Sequence, residues 1–226
     1  MKQLLKLLLI ILVAGAARGQ DCTSFAPMTE GSKYEITNYD KKGNVDGVSK
    51  NEVIKADGNS AQIKMEMLDK KGKTISEGEF AVKCEDGVFY IDMSMFLDPS
   101  QMEAYKDMDV TMDASFLEFP ANMKAGDQLP DGAIELKFGT EGTTIATIKM
   151  TIMNRVVHAT ETVKTDAGSF ECQKITYDYE TKIGFIKVKG SAVLWMAKDV
   201  GMVKSESYNK KGKLVGSSAL TKLEKS

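Results

Sequence analysis

The stretch TIKMTIMNR, residues 147–155, sets the reading of this chain. Ile148, Met150 and Ile152 point to one side, and Lys149, Thr151 and Met153 to the other. A period of two means an extended strand with one dry face and one wet face. The pattern runs outward over 143–157, a strand of roughly 50 Å at about 3.3 Å per residue. Residues 62–68 and 88–93 repeat it. So do Ile186, Val188, Ala192 and Leu194, with Lys187 and Lys189 opposite. Antiparallel strands of this length twist and coil.

One segment departs from the alternation. DPSQMEAYKDM, 98–108, offers Asp98 as a helix N-cap and Pro99 at the first helical position. Met102, Tyr105 and Met108 follow at helical spacing, which predicts one short helix. EFPANMKAGDQLPDG, 118–132, holds two prolines and reads as a loop. One short helix cannot cover the dry face of so large a sheet. The expected fold is therefore all-β with minor α: a long curled antiparallel sheet, half-barrel or barrel-like, closed incompletely by one short helix over a trough.

Turn chemistry separates the strands. Asp40-Lys41-Lys42-Gly43, Asp69-Lys70-Lys71-Gly72 and Asn209-Lys210-Lys211-Gly212 share one design. Asp or Asn first and Gly fourth is the preference of a type I turn with a G1 bulge. A recurring hairpin turn accounts for the repeat better than a basic anion-binding signature. The intervals are too irregular for a solenoid.

Residues 1–19 read as a secretory signal peptide, with Lys2 and Lys6 before the apolar run 7–17 and Ala17-Arg18-Gly19 at the cut. Cleavage near Gly19 leaves 20–226 as one expected domain, without a lipobox before Cys22 and without a later transmembrane span, in the periplasm or outside the cell. The formal charge of the whole sequence is −2, and loss of the leader makes it more acidic. Arg155 is then the one remaining arginine, which argues against nucleic acid as a partner. Of the three cysteines, Cys22 lies on an N-terminal arm that reaches Cys84 beside a turn, the favoured pair; free thiols are the alternative.

Catalytic and metal-binding parts are scarce. His158, the only histidine, ends a strand pattern and reads as a satisfied strand residue. The cysteines lack C-x-x-C spacing for a metal, the DKKGN turn lacks calcium ligands, and no Gly-rich phosphate loop precedes a helix. The expectation is no cofactor, no metal and no enzyme. The apolar composition is more informative, with 14 Met. Met65, Met67, Phe89, Ile91, Met93, Phe96, Met102, Tyr105, Ile148, Met150, Ile152 and Trp195 are the candidate trough lining, for a lipid or other apolar ligand. Ordinary core packing is the competing account of each.

Three stretches carry a resemblance: CTSFAPMTEGSKYEITNYDKKG near the start, GSFECQKITYDYET at 168–181 and LWMAKDVGMVKSESYNKKGK at 194–213. The Trp followed by V-G-x-V-K-x-E, and the opening Cys22, Pro27 and Gly31, resemble the TapB-like family of secreted or periplasmic bacterial proteins. That resemblance implies an all-β envelope protein of Gram-negative bacteria and brings no established activity. Three functions follow for test: an apolar or amphipathic ligand held in a β-trough; an envelope interaction or structural module with a filled core and an exposed apolar patch; and a hydrolase using paired carboxylates.

Overall fold

The computed structural model describes residues 22–96, 108–141 and 143–226. The leader 1–19 and all but the last residue of the predicted helix 98–108 lie outside the described residues. The strands are β1 (Lys33–Asp40), β2 (Val45–Ala56), β3 (Ser60–Asp69), β4 (Thr74–Glu85), β5 (Val88–Asp92), β6 (Asp109–Ala114), β7 (Phe116–Pro120), β8 (Gln128–Leu129), β9 (Gly132–Thr140), β10 (Thr143–Thr165), β11 (Gly168–Ile183), β12 (Ile186–Ala197), β13 (Gly201–Asn209) and β14 (Leu214–Glu224). Among the described residues the helical content is one 3-10 turn, Met93–Phe96.

All the strands belong to one antiparallel sheet, in the order β6-β9-β10-β11-β12-β13-β14-β1-β2-β3-β4-β5-β7, with β8 beside β10. Its two edges are halves of one chain segment. β6 pairs with β9, the chain passes through Ser115, and β7 then pairs with β5. Ser115 makes the crossing: its amide donates to the Ala133 carbonyl, and its carbonyl accepts from the Met93 amide. The sheet is thereby curled into a nearly closed barrel. Closure is incomplete because β5 covers only Val82–Glu85 of β4, leaving the rest of that strand's outer edge without a strand partner among the described residues.

β10 runs for 23 residues. It bends where its register to β11 slips, between Met153 and Val156 and again between Val157 and Thr160. Asn154 takes φ 54° at the first slip. Bulges of this kind increase local twist and re-aim a strand, and they let one hairpin wrap round the barrel.

The 118–132 loop is partly ordered into strand: Glu118 to Pro120 complete β7, and β8 lies within it. The short polar turn 121–127 remains, held by Lys124 N–H to Asp127 and by Gly126 N–H to the Val157 carbonyl.

Consecutive hairpins of an up-and-down sheet alternate between its two ends. The turns after β1, β3, β9, β11 and β13 therefore share one end, here the rim. The turns after β2, β4, β10 and β12 share the other, which the N-terminal arm plugs. Cys22 is disulfide-bonded to Cys84. Phe25 packs on Phe89 and Phe119, with centroids 6.1 and 5.9 Å away. The Ser24 carbonyl accepts from Asp199 N–H. Above the plug lies the aromatic and aliphatic core, including Val53, Ile63, Phe80, Phe89, Phe119, Ile152, Ile175 and Val203.

Candidate functional site

The rim is built from the repeated turns. In each, the fourth-position glycine amide donates to the carbonyl of the first residue, at 2.9, 2.9 and 2.8 Å for Gly43, Gly72 and Gly212. Those glycines take φ of 82°, 80° and 70°, the left-handed value a G1 bulge needs. The first side chain then caps the loop. Asp40 accepts from the amides of Lys42 and Asn44, Asp69 from Lys71 and Lys73, and Asn209 from Lys211 and Lys213. The Asn44 side chain and these amides hold the Asp40 carboxyl below its ordinary pKa. The amides of Lys73 and Lys71 do the same for Asp69. The turn reading is therefore borne out, and the lysines project from the tips.

The strand order sets these turns side by side. β13-β14-β1-β2-β3-β4 is one uninterrupted run, so the three lysine tips sit two strands apart, about 10 Å from tip to tip. Lys41, Lys42, Lys70, Lys71, Lys73, Lys210, Lys211 and Lys213 are all exposed. Among the described residues none of them is in an ion pair. The barrel wall below is different. Lys33 meets Glu52, Lys64 meets Glu77, and Lys222 meets Glu35 and Glu224, so charges of opposite sign alternate across β14, β1, β2 and β3 and compensate one another. A cleft of about 230 Å³ in that wall is lined by the same pairs.

The next tips along the rim are apolar. β11 and β12 join through Gly184 and Phe185, and Phe185 is fully exposed. Ile186 is 65 % exposed, Ile145 61 % and Val188 50 %. Sequence alternation assigned Ile186 and Val188 to the dry face. The structure corrects this: the pattern outruns the core, and the last turn of the β11–β12 ribbon stands in solvent. Val45, Ile75, Leu214 and Val215 flank the lysine turns and are also exposed. Gly184 has φ 56°, as the first position of a two-residue hairpin turn requires. A phenylalanine beside it is out of keeping with turn chemistry, and that was the signal available in the sequence.

The candidate trough residues divide. Phe89, Met93 and Ile152 are at most 1 % exposed, and Ile91 is buried beside them, all within the continuous core. Met65 and Met150 are half-buried against it. Met67 and Ile148 are half-buried on the inner face near the incompletely closed edge. Met102, Tyr105 and the side chain of Phe96 lie outside the described residues. Trp195 stands on the opposite face of β12 from this set. Its Nε1–H donates to Glu161, and the Lys174 and Lys204 ammonium groups lie 5.4 and 4.8 Å from its ring. It floors a cleft of about 410 Å³ with Tyr39, Glu161, Lys204 and Thr221.

Two further groups bear on chemistry. Arg155 is buried, donating to the Pro130 and Glu118 carbonyls with its guanidinium 4.7 Å from the Phe119 ring centroid. Burial pulls its pKa to about 10, so it stays charged at neutral pH. This latch was missed in the sequence because its partners are backbone carbonyls distant in the chain, Glu118 in β7 and Pro130 before β9. Cys172 is buried and unpaired, and burial pushes its thiol up to about 11, which leaves it unreactive. His158 bonds Thr176 at 2.9 Å. Among the described residues there is no cluster of three metal-ligating side chains, and no helix is long and apolar enough to cross a membrane.

Residues 29–220 match the family model described as DUF3108-like. The chain belongs to the DUF3108-like family. That match establishes the family under this description, not under the TapB-like name. A protein classed as exported, with a YmcC-like fold, from Bacteroides fragilis NCTC 9343 superposes with a TM-score of 0.76 at 27% identity, covering 90% of this chain and 100% of its own. A protein classed as a lipoprotein, from Parabacteroides distasonis ATCC 8503, superposes with a TM-score of 0.76 at 24% identity, covering 91% and 100%. No curated protein matches the chain. The DUF3108-like barrel is thus a fold shared with a protein classed as exported and one classed as a lipoprotein.

Proposed function

We propose that this DUF3108-like protein is a non-catalytic module of the bacterial envelope that docks through its rim. One observation carries the reading: the three most exposed large apolar side chains, Phe185, Ile186 and Ile145, lie on hairpins at one end of the barrel. Apolar side chains scattered singly need no explanation, whereas a contiguous group marks an interaction surface. Rigid β-hairpins hold Phe185, Ile186 and Ile145 in solvent at little entropic cost on binding. The exported and lipoprotein-class neighbours support an envelope location. A photo-crosslinking amino acid placed at Phe185 is expected to capture an envelope component in cells, and the same group at Asp86, on the plugged end, is expected to capture none. Equal capture at both positions, or none at Phe185, removes the reading.

A second reading, an apolar or amphipathic ligand, has one specific support. Met65, Met67, Ile148 and Met150 remain half-buried on the inner face, and Ser76, opposite Met67, has a buried hydroxyl with no partner among the described residues. Native mass spectrometry after gentle extraction is expected to show a bound lipid in this case. A ligand-free mass under those conditions ends it.

A further inference from the structure

The rim presents two chemistries on neighbouring hairpins. Five hairpins turn at this end: the lysine turns 40–44, 69–73 and 209–213, and the hairpins that carry Ile145 and Phe185. Asp40 and Asp69 lie beside Lys42, Lys71 and Lys73 in their own turns, and Glu141 is exposed at the β9–β10 tip. The eight turn lysines outnumber these carboxylates, and none of the eight is in an ion pair among the described residues, although the chain as a whole is acidic. Lys182 and Lys189 are held by Glu180 at 3.3 and 2.6 Å, but Lys187, between them, is exposed and in no ion pair among the described residues. The plug turns are mixed in charge: Asp57, Asp86, Asp166 and Asp199 stand with Lys55, Lys164 and Lys198, and Glu85 is paired with Lys83 at 2.6 Å. The molecule is therefore asymmetric along the barrel axis, with a surplus of lysine and exposed apolar side chains at the rim and mixed charge at the plug.

We propose that the rim seats the barrel end-on upon a bilayer surface bearing anionic phosphate headgroups. The inference rests on the docking reading above and names its partner. Exposed lysines attract an anionic leaflet, and each contributes independently while it lies within a Debye length of the surface. Phe185, Ile186 and Ile145 project from neighbouring tips and enter the boundary between headgroups and acyl chains, where aromatic and aliphatic groups gain from leaving water. The plug has no comparable lysine surplus, so the anionic surface favours approach by the rim. Lysine, flexible and tipped by a compact charge, suits a fluid headgroup layer better than a fixed protein epitope, where arginine forks prevail. Protein interfaces are enriched in Arg, and the rim has none.

The test is co-sedimentation of the mature full-length chain with vesicles. One set contains phosphatidylglycerol in phosphatidylcholine, and the other phosphatidylcholine alone. Binding is expected to the anionic vesicles only, and to weaken steeply as salt is raised. Replacing Lys210, Lys211 and Lys213 together by Ala is expected to lower partitioning on the order of 100-fold, and Phe185→Ser about tenfold. Lys124→Ala with Lys198→Ala, near the plug, is expected to change nothing. Thermal melts confirm that each variant is folded. Equal binding to both vesicle types, or undiminished binding by the triple variant, overturns the proposal. If vesicles fail while the Phe185 crosslink captures a protein, the lipid inference falls and the docking reading stands. If both fail, both fall.

Discussion

The two ends of this barrel are made differently. At the plugged end the chain is tied to itself: the Cys22–Cys84 bridge, the Phe25 side chain against Phe89 and Phe119, and Arg155 reaching the backbone carbonyls of Glu118 and Pro130. At the rim, hairpins carry their hydrogen bonds within five-residue turns and show lysine and apolar side chains to solvent. Burial of apolar area is the main stabilising term in folding, so stability belongs to the plug. The rim is free to vary its side chains without cost to the fold. Surface substitutions away from caps and core usually stay within about 0.5 kcal/mol. Selection for a sturdy barrel does not account for so many unpaired lysines beside exposed Phe185.

That contrast can be broken by substitution, beginning where the effect is greatest. Replacing Cys22 and Cys84 together by Ser releases a loop with a sequence separation of 62, which the chain-entropy account values at about 4 kcal/mol. Urea melts of the double variant are expected to show that loss, and an unchanged midpoint would put the stability elsewhere. Arg155→Lys keeps the charge but loses the fork to Pro130 and Glu118 and the face-on contact with Phe119, an expected loss of about 2 kcal/mol. By contrast, the triple alanine variant at Lys210, Lys211 and Lys213 is expected to melt within about 0.5 kcal/mol of the parent. A loss as large as that of Arg155→Lys would give the rim lysines a structural role and weaken the contrast.

The smallest effect compares the turns with one another. Asp40 and Asp69 have carboxyls depressed in the fold, whereas Asn209 does the same capping with an amide that does not titrate. A carboxyl whose folded pKa lies below its unfolded value stabilises at pH above the ordinary carboxylate range, and that contribution is lost as pH falls through the folded value. Amide exchange at Lys42 and Lys71, compared between neutral pH and about pH 2, is expected to accelerate relative to Lys211. Parallel behaviour in all three turns would show that the side-chain caps do not govern them.

Much of the architecture was legible because it rests on local patterns. The alternation around Ile148, Met150 and Ile152 announced long strands, and Asp-Lys-Lys-Gly announced the turns. Length and one-sided greasiness together implied a curled sheet. Closure by a single segment passing through Ser115 was not legible, because it depends on long-range pairing to Ala133 and Asp92. Nor was the plug, since nothing local to Phe25 tells which aromatic rings it will meet. The inward set was named from periodicity, which cannot distinguish a packed core from a lined trough; Phe89, Met93 and Ile152 proved to be core. The same periodicity placed Ile186 and Val188 inside, because alternation records which face a residue shares and not where along the strand the core ends.

The most direct test of the division between plug and rim is hydrogen-exchange footprinting of the mature protein, free and mixed with an isolated envelope fraction. The account predicts new protection confined to the tips at 40–45, 69–75, 143–147, 183–188 and 209–215, with the plug turns at 57–60 and 85–87 unchanged. Protection at the plug turns, or no difference at the tips, would contradict it.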